Sequence, residues 1–428
     1  MLAYGIVFLV AAGLTYALTP AVWRLAIRWG AVVLPGERRV HLRPTPTLGG
    51  AAMLFAFVAA MGVAALIPAF RPVFQSSSEP LGLVIAAVVI AAVGLLDDIR
   101  EVSAPAKVAG QVLAGSVLGL AGVTIFFFRI PFADFIVLSP DLGFLITVLW
   151  VVGMANAVNL IDGLDGLAAG VVAIAAGALF VYANRLSDAG LLDPANIAPL
   201  VMAITCGLCV GFLPHNFNPA KVFMGDGGSL LLGLLMAAAT ISIGGRTADQ
   251  FSGQTYFFFA PLLIPFIILG VPIVDTGFAI VRRAVRGASL AAPDKEHLHH
   301  RLMRLGHGPR RSVVILWAWT AVLSGVVLVP TFTNRGNAVV PFLLAALAVL
   351  LYTFFHPGVR QSEPVVQLFD QEAPWSAPEA DPAPRKARAR SESPGEPEGG
   401  PTERDAGAAA STVRSNGHVH LPQRRPFP

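Results

Sequence analysis

Charged residues are scarce in this sequence. Asp, Glu, Lys and Arg make up 13% of the 428 residues, whereas soluble domains carry about 25%. Hydrophobic residues make up 55%, so too few polar side chains remain to cover a water-facing surface. This composition excludes an ordinary soluble globular protein. It predicts an integral membrane protein of α-helices, because a helix satisfies its own backbone hydrogen bonds inside a bilayer.

Cysteine is scarce as well, since Cys206 and Cys209 are the two in the chain. A disulfide framework is therefore excluded. Their C-x-x-C spacing could indicate a redox pair. Both lie in the apolar run 197–213, however, where two small hydrophobic side chains of a membrane helix are the simpler interpretation.

Apolar runs long enough to cross a bilayer, about 17–25 residues, recur through the first 356 residues. Between two of them, residues 124–141 are β-branched and aromatic and contain Pro131, which predicts a short β-hairpin at the membrane surface. The sequence thus predicts an all-α polytopic membrane protein of about eleven transmembrane helices. The predicted spans are 2–23, 48–68, 81–97, 107–123, 142–157, 163–182, 197–213, 227–244, 257–281, 313–330 and 338–355.

The composition changes after His356. Residues 357–428 are rich in Pro, Glu, Arg, Ser, Gly and Ala and cannot bury enough apolar surface to offset the entropy lost on ordering. We predict a transmembrane domain over 1–356 that carries the chemistry and a disordered cytoplasmic tail over 357–428.

Basic residues are unevenly distributed among the connections between spans. The odd-numbered connections hold 15 lysines and arginines and the even-numbered ones five. By the positive-inside rule, the odd-numbered connections are cytoplasmic, with the N-terminus outside and the C-terminus inside. The net charge of +4 therefore reflects topology, and we predict no nucleic-acid partner. The odd-numbered connections are 24–47, 98–106, 158–162, 214–226 and 282–312.

Five polar motifs lie on or beside these basic connections. A transporter is the non-enzyme alternative. It would place its polar groups near the membrane midplane, in interrupted helices. Polar groups gathered on one face favour a cytoplasmic active site. The motifs are HLRPTPTLGG at 41–50, GLLDDIR at 94–100, NAVNLIDGLDGL at 156–167, PHNFNPAKVFMGDGGS at 214–229 and DKEHLHHRL at 294–302.

Three carboxylates suggest a phosphate site that uses a metal. Asp97 and Asp98 end an apolar run, where adjacent carboxylates are costly to desolvate without a cation. Asp226 stands among three glycines just before an apolar helix, whose first N–H groups suit phosphate. Mg²⁺ fits beside them because it accepts few protein carboxylates together with waters and phosphate oxygens. Lys107 could hold a phosphate as a point charge.

A second group of polar residues recurs every three positions. Asn156, Asn159, Asp162 and Asp165 would share one face of a helix, and polar groups on an apolar helix usually mark function. In the fourth odd connection, the set Asn216, Lys221 and Phe223 offers an amide, a cation and a ring. That combination suits a nucleotide base.

Three histidines and an arginine form one more polar cluster, at His297, His299, His300 and Arg301. A zinc site is an alternative, but the spacing has no cysteine partner and no H-E-x-x-H helix. Imidazoles among arginines more readily bind phosphate or diphosphate.

The motifs, in this order, resemble the polyprenyl-phosphate N-acetylhexosamine-1-phosphate transferases, a superfamily that includes phospho-MurNAc-pentapeptide translocase. The resemblance covers residues 40–305. It implies that a polyprenyl phosphate attacks the sugar-bearing phosphorus of a UDP-N-acetylhexosamine, releasing UMP and leaving a polyprenyl-diphosphate-linked sugar. It also implies Mg²⁺, with Mn²⁺ as a substitute, a homodimer, and a bacterial plasma membrane with a cytoplasmic active site.

Residue roles follow from the same resemblance. It implies metal binding at Asp226 and Asp98, and uridine binding at Asn216, Phe223 and Asp165. The implied catalytic residues are Asp97, Asp98, Asp226, His299 and His300. The other predicted substrate-binding residues are Arg43, Lys107, Asn156, Asn159, Asp162, Lys221, His297 and Arg301.

Two enzyme alternatives remain open. The motif DKEHLHHRL resembles the branch that uses simple UDP-N-acetylhexosamines, which favours UDP-GlcNAc and the first lipid-linked step of a cell-envelope glycan such as teichoic acid or O-antigen. The alternative is a phospho-MurNAc-pentapeptide transferase, whose motif typically has three consecutive histidines. The segment 162–169 also partly resembles the CDP-alcohol phosphotransferase pattern, but Gly170 stands where that pattern has Arg.

Overall fold

The structure is a computed structural model that describes residues 1–33, 44–129, 135–244, 270, 273, 277, 301–303, 305–333 and 336–355. The predicted span 257–281 is outside the described residues apart from isolated positions, and so is the predicted tail 357–428.

Long α-helices make up most of the described chain. Short 3₁₀ turns at Pro68–Phe70 and Gly336–Val339 precede α3 and α11. The helices and strands are α1 (Leu2–Trp29), β1 (Val32–Val33), β2 (Thr45–Pro46), α2 (Gly49–Leu66), α3 (Arg71–Gln75), α4 (Glu79–Ile99), α5 (Ala104–Leu120), β3 (Phe127–Arg129), β4 (Phe135–Val137), α6 (Pro140–Ile161), α7 (Leu167–Asp188), α8 (Ala198–Asn216), α9 (Gly225–Gly244), α10 (Pro309–Thr333) and α11 (Val340–Phe355).

The prediction of an all-α polytopic membrane protein is confirmed. Within the described residues, nine helices are long and apolar enough to cross a membrane, and each overlaps one predicted span. The fourth predicted span, 107–123, is not among those nine and corresponds to α5, which has 17 residues. That length is at the lower limit for crossing a bilayer.

Two small antiparallel strand pairs accompany the helices. The hairpin predicted within 124–141 is confirmed, because β3 pairs with β4 in the register Phe127 with Val137. The pair of β1 and β2 was not predicted. Two-residue strands carry no alternating pattern of apolar and polar side chains from which a strand could be recognised.

Small residues let α1 and α8 pack closely. A Cβ added to Gly211 of α8 would lie 2.9 Å from the Cα of Ala12 in α1, so the helices meet backbone to backbone. Pro20 lies inside α1 and has no N–H to donate to the carbonyl of Tyr16, four residues earlier. Nε2 of His215 in α8 lies 3.0 Å from that carbonyl oxygen. A polar contact therefore ties α8 to α1 where the proline interrupts the helical hydrogen bonds.

Helix α9 is the centre of the described fold. It packs against α2, α4, α6, α7 and α8, and 94% of its membrane-length segment is buried, compared with 6% for α11. A Cβ on Gly233 of α9 would lie 2.5 Å from the Cα of Ala155 in α6. A Cβ on Gly94 of α4 would lie 2.5 Å from the backbone nitrogen of Gly227. The start of α9 is thus fixed by direct backbone contact.

The contact between α4 and α9 yields a stability prediction. Gly94→Ala places a methyl group against backbone that cannot rotate away, and overpacking of this kind costs about 1–3 kcal/mol. We expect a lower midpoint of thermal unfolding in detergent. Gly153→Ala is the control, because Gly153 lies within α6 with nothing within 4 Å of an added Cβ. That change should leave the midpoint unchanged or raise it. Equal midpoints for both variants would contradict the close contact.

Candidate active site

One ammonium group joins two carboxylates where three helices meet. Asp97 lies in the last turn of α4, Lys107 in the first turn of α5 and Asp226 in the first turn of α9. Nζ of Lys107 is 2.8 Å from Oδ2 of Asp97 and also contacts Oδ2 of Asp226. The three side chains are 20–24% exposed, so the cluster is partly open and a ligand can reach it.

Asp98 has a different environment from its neighbour Asp97. Its Oδ1 accepts a hydrogen bond of 2.9 Å from the backbone N–H of Asp226, and its Oδ2 accepts one of 3.1 Å from that of Gly227. The first N–H groups of a helix have no partner within the helix. The carboxylate of Asp98 supplies partners from another helix, and its charge suits the positive end of the α9 dipole.

Asn159 holds the other oxygen of Asp226. Its Nδ2 donates to Oδ1 of Asp226 and to Oγ of Ser229, both at 2.9 Å. The Ser229 hydroxyl donates in turn to the carbonyl of Gly225 at 3.1 Å. Asp226 is therefore fixed from two sides, by Asn159 and by Lys107.

The predicted single helical face of Asn156, Asn159, Asp162 and Asp165 is wrong. Helix α6 ends at Ile161, and α7 begins after Gly166, whose φ is +79°. Asn156 and Asn159 share the helix, whereas the two aspartates lie in the turn between α6 and α7. The left-handed φ at Gly166 suits glycine, and the chain there leaves the helical path. A spacing of three residues was therefore not enough to predict a continuous helix, because the backbone turns between α6 and α7.

Asp162 has no cationic neighbour in the described part of the chain. Among the described residues, none donates a hydrogen bond to its carboxylate or forms an ion pair with it. Burial raises the pKa of Asp162 well above its usual range, and the negative charges of Asp226, Asp98 and Asp165 raise that pKa further. A divalent cation near Asp162 and Asp226 would relieve both the desolvation and the repulsion.

These residues fit Mg²⁺ better than a metal held entirely by protein. The described part of the chain contains no cluster of three or more His, Cys, Asp or Glu side chains that could hold a metal. Mg²⁺ keeps several waters and is commonly bound by one or two carboxylates together with substrate phosphates. Asp226, Asp98 and Asp162 are the carboxylates available for such a site.

Asn216 holds two loops together. Its Oδ1 accepts from the N–H of Gly166 and its Nδ2 donates to the carbonyl of Val222, each at 3.0 Å. The side chain is buried. The oxygen and the nitrogen of this amide both bond to backbone groups. A contact with uridine, as predicted, would therefore be made in addition to these two hydrogen bonds.

Asp165 forms a second connection between the same two loops. Its Oδ2 accepts from Nδ2 of Asn218 at 2.8 Å and from the N–H of Ala220 at 2.9 Å. Arg310, at the start of α10, donates through Nε to the carbonyl and side-chain oxygens of Asn218 at 3.0 and 3.2 Å. Arg310 lies outside every recognisable motif of the sequence, so its contact with Asn218 could not be predicted.

The first polar motif is joined to the loop that leads into α9. The N–H of Phe223 donates to the carbonyl of Pro46 at 2.9 Å, and the N–H of Gly49 donates to the carbonyl of Phe223 at 3.0 Å. This pairing brings residues 45–50 beside the start of α9. Lys221 and Arg301 are exposed. Arg43, His297, His299 and His300 lie outside the described residues, and their predicted roles stay predictions.

Two amides lie one helical turn below the cluster. Asn156 donates both N–H groups within the protein, to Oε1 of Gln111 and to the carbonyl of Val152, each at 2.7 Å. The prediction that Asn156 binds substrate is therefore not supported by its geometry. Gln111 was missed by the sequence analysis, although a lone amide four residues after Lys107 in an apolar run was a usable signal.

The contact between Asp98 and α9 yields a second prediction. In Asp98→Asn, one oxygen remains to accept from one backbone N–H group, and the new NH₂ group faces the second N–H group. We therefore expect a lower midpoint of thermal unfolding. The cost should be about 1 kcal/mol. Asp193→Asn is the matched control, since exposed Asp193 accepts one backbone bond, from Ala195 at 2.8 Å, which asparagine can replace. A similar loss in both variants would argue against the cap.

Comparison with known proteins identifies the family. A family model described as glycosyl transferase family 4 matches residues 80–244. The chain is 39% identical over 357 residues to the decaprenyl-phosphate N-acetylglucosaminephosphotransferase of Mycolicibacterium smegmatis, covering 82% of this chain and 87% of the relative. It is 37% identical to a probable undecaprenyl-phosphate N-acetylglucosaminyl 1-phosphate transferase of Bacillus subtilis, covering 74% and 82%.

A second branch is more distant. The chain is 34% identical over 356 residues to the phospho-N-acetylmuramoyl-pentapeptide-transferase of Desulforudis audaxviator, covering 76% of this chain and 96% of the relative. The resemblance inferred from the five motifs is confirmed by these matches. With its spanning helices, its cluster of carboxylates around Lys107 and these relatives, the chain belongs to the polyprenyl-phosphate N-acetylhexosamine-1-phosphate transferase family.

Proposed function

We propose that the protein transfers N-acetylglucosamine 1-phosphate from UDP-GlcNAc to a polyprenyl phosphate. The observation that carries the proposal is the cluster of Asp97, Lys107 and Asp226 at the junction of three helices. It occurs in a chain 39% identical to a decaprenyl-phosphate N-acetylglucosaminephosphotransferase. The pentapeptide transferase alternative is supported by the lower identity of 34%.

The reaction exchanges one phosphorus–oxygen bond for another. An oxygen of the lipid phosphate bonds to the phosphorus that carries the sugar, the bond from that phosphorus to the UMP oxygen breaks, and UMP leaves with the electron pair. A phosphate monoester has a second pKa of about 6, so the lipid phosphate is largely dianionic at neutral pH. It needs no general base to attack.

Under this proposal the side chains of the cluster mainly hold and balance charge. Asp97 orients Lys107, whose ammonium can donate a hydrogen bond to a phosphate oxygen in place of a carboxylate. Asn159 keeps Asp226 in position, and Asp226 would hold Mg²⁺ together with Asp98 or Asp162. When bound, Mg²⁺ neutralises charge on the diphosphate, which together with alignment is the main requirement of phosphoryl transfer.

The proposed location is a bacterial plasma membrane with the site on the cytoplasmic side. The support is the distribution of basic residues, 15 in the odd-numbered connections against five in the others. Asp97, Lys107 and Asp226 all lie at or beside those basic connections. The first lipid-linked step of a cell-envelope glycan fits this location, because nucleotide sugars are cytoplasmic. A homodimer and the use of Mn²⁺ stay predictions.

A transfer assay tests the function. Inverted membrane vesicles containing the protein, supplied with sugar-labelled UDP-GlcNAc, polyprenyl phosphate and Mg²⁺, should release UMP and label lipid in equal amounts, and EDTA should stop both. UDP-GalNAc and UDP-MurNAc-pentapeptide are run in parallel. Faster transfer from the pentapeptide donor would favour the alternative branch. Sugar uptake without UMP release would instead indicate a carrier.

The role of Asp226 gives a pH-resolved prediction. Asp226→Asn should lower activity by more than about 100-fold at every pH, because the amide neither balances Lys107 nor binds a cation. Asp97→Asn should lower activity without recovery at high pH, since the lipid phosphate is already deprotonated. Recovery with rising pH would mean that Asp97 removes a proton. Asp188→Asn, at an exposed position on α7, is the control and should retain normal activity.

A further inference from the structure

A buried pair of amides joins α5 to α6. Nδ2 of Asn156 donates to Oε1 of Gln111 at 2.7 Å, and Nε2 of Gln111 donates back to Oδ1 of Asn156 at 3.4 Å. Gln111 is 0% exposed, so lipid and water do not reach it. The two side chains form a reciprocal, self-complementary contact inside the membrane-spanning part of the protein.

This amide pair lies directly beneath the charged cluster. Gln111 follows Lys107 by four residues on α5, and Asn156 precedes Asn159 by three on α6, so each amide is one helical turn from a residue of the site. Lys107 contacts Oδ2 of Asp226, and Asn159 donates to Oδ1 of the same carboxylate. The two helices are thus connected at two levels. At one level Gln111 bonds to Asn156, and one turn away Lys107 and Asn159 both contact Asp226.

The amide pair specifies the register between the two helices. An amide buried in an apolar interior without a partner costs several kcal/mol, and both hydrogen bonds fail together if one helix slides by one residue, about 1.5 Å. Among the described residues, Lys107 and Gln111 are the α5 side chains whose hydrogen bonds reach other helices. Without Gln111, Lys107 is the one α5 side chain in the described part of the chain that still hydrogen-bonds to another helix.

We propose that Gln111 is a positioning residue for the transfer reaction. Through Asn156 it fixes α5 against α6, so that Lys107 and Asn159 reach opposite oxygens of Asp226 at the same time. The inference rests on the proposed function, and it assigns to Gln111 a contribution to turnover without contact with either substrate.

Gln111→Met tests this role, because methionine keeps the length of the side chain and removes the amide. We expect kcat per folded protein to fall about 10- to 100-fold, with the KM for UDP-GlcNAc changed less than about twofold. Thr240→Val is the matched control. It removes a hydrogen bond of 2.9 Å between Nε1 of Trp150 in α6 and Thr240 in α9, which lies away from the cluster. It should lower the thermal midpoint and leave kcat unchanged.

Two further measurements separate positioning from folding. The exchange Gln111→Asn with Asn156→Gln keeps one long and one short amide and should raise kcat clearly above that of Gln111→Met. Modification of Lys107 by an amine-reactive reagent, followed by mass spectrometry of its peptide, should be faster in Gln111→Met. If Gln111→Met does not accumulate, Gln111→Leu takes its place.

The outcomes distinguish this inference from the proposed function. A kcat for Gln111→Met within about twofold of the unaltered protein, with unchanged reactivity of Lys107, overturns the positioning role. An equal loss of kcat in Thr240→Val also overturns it. If the unaltered protein transfers no sugar phosphate from any donor, the proposed function fails. The reactivity of Lys107 still tests whether the amide pair holds that side chain in place.

Discussion

Helix α9 begins inside the protein, and its first backbone N–H groups must find partners there. Asp98 supplies both oxygens of its carboxylate to two of them, and the lack of a side chain at Gly94 lets α4 approach closely enough for this contact. The position of Asp226 follows, because it is the second residue of the helix that Asp98 caps. The candidate active site is therefore built around the end of a helix whose polar groups cannot be left unpaired in a low-dielectric interior.

Charge balance around that helix end supports the proposal of a phosphate substrate and a cation at this site. Lys107 is shared by Asp97 and Asp226, while Asp162 has no cationic neighbour among the described residues and its pKa is raised. The site thus contains four carboxyl groups and one ammonium group. A cation beside these carboxyl groups would favour their ionised forms and reduce the repulsion that an anionic diphosphate meets, which supports the proposed use of Mg²⁺.

In this sequence, residues that hold the fold together stand next to residues of the candidate active site. The motifs alone do not show which residue has which role. Asp97 and Asp98 are neighbours, yet one holds an ammonium group and the other caps a helix. Asn156 and Asn159 belong to one motif, yet the first is paired with Gln111 and the second holds Asp226. Asn216 and Asp165 link two loops that are about fifty residues apart in sequence. The side chains of Asn216 and Asp165 therefore hold the loops of the site in place, independently of any contact with a ligand.

The sequence by itself determined the membrane class, nine of the spans, the β3–β4 hairpin and the family, because composition, run length and motif order are local properties of the chain. It also predicted that Asp97, Lys107 and Asp226 belong to one site, and the structure brings these three side chains into contact. Only the tertiary structure decided that Asp98 caps α9 and that Asp162 and Asp165 leave the helix of Asn159. It also decided that Gln111 pairs with Asn156 and that Arg310 contacts Asn218. Those facts depend on which side chain meets which backbone group across helices, and spacing along one chain carries no information about such contacts.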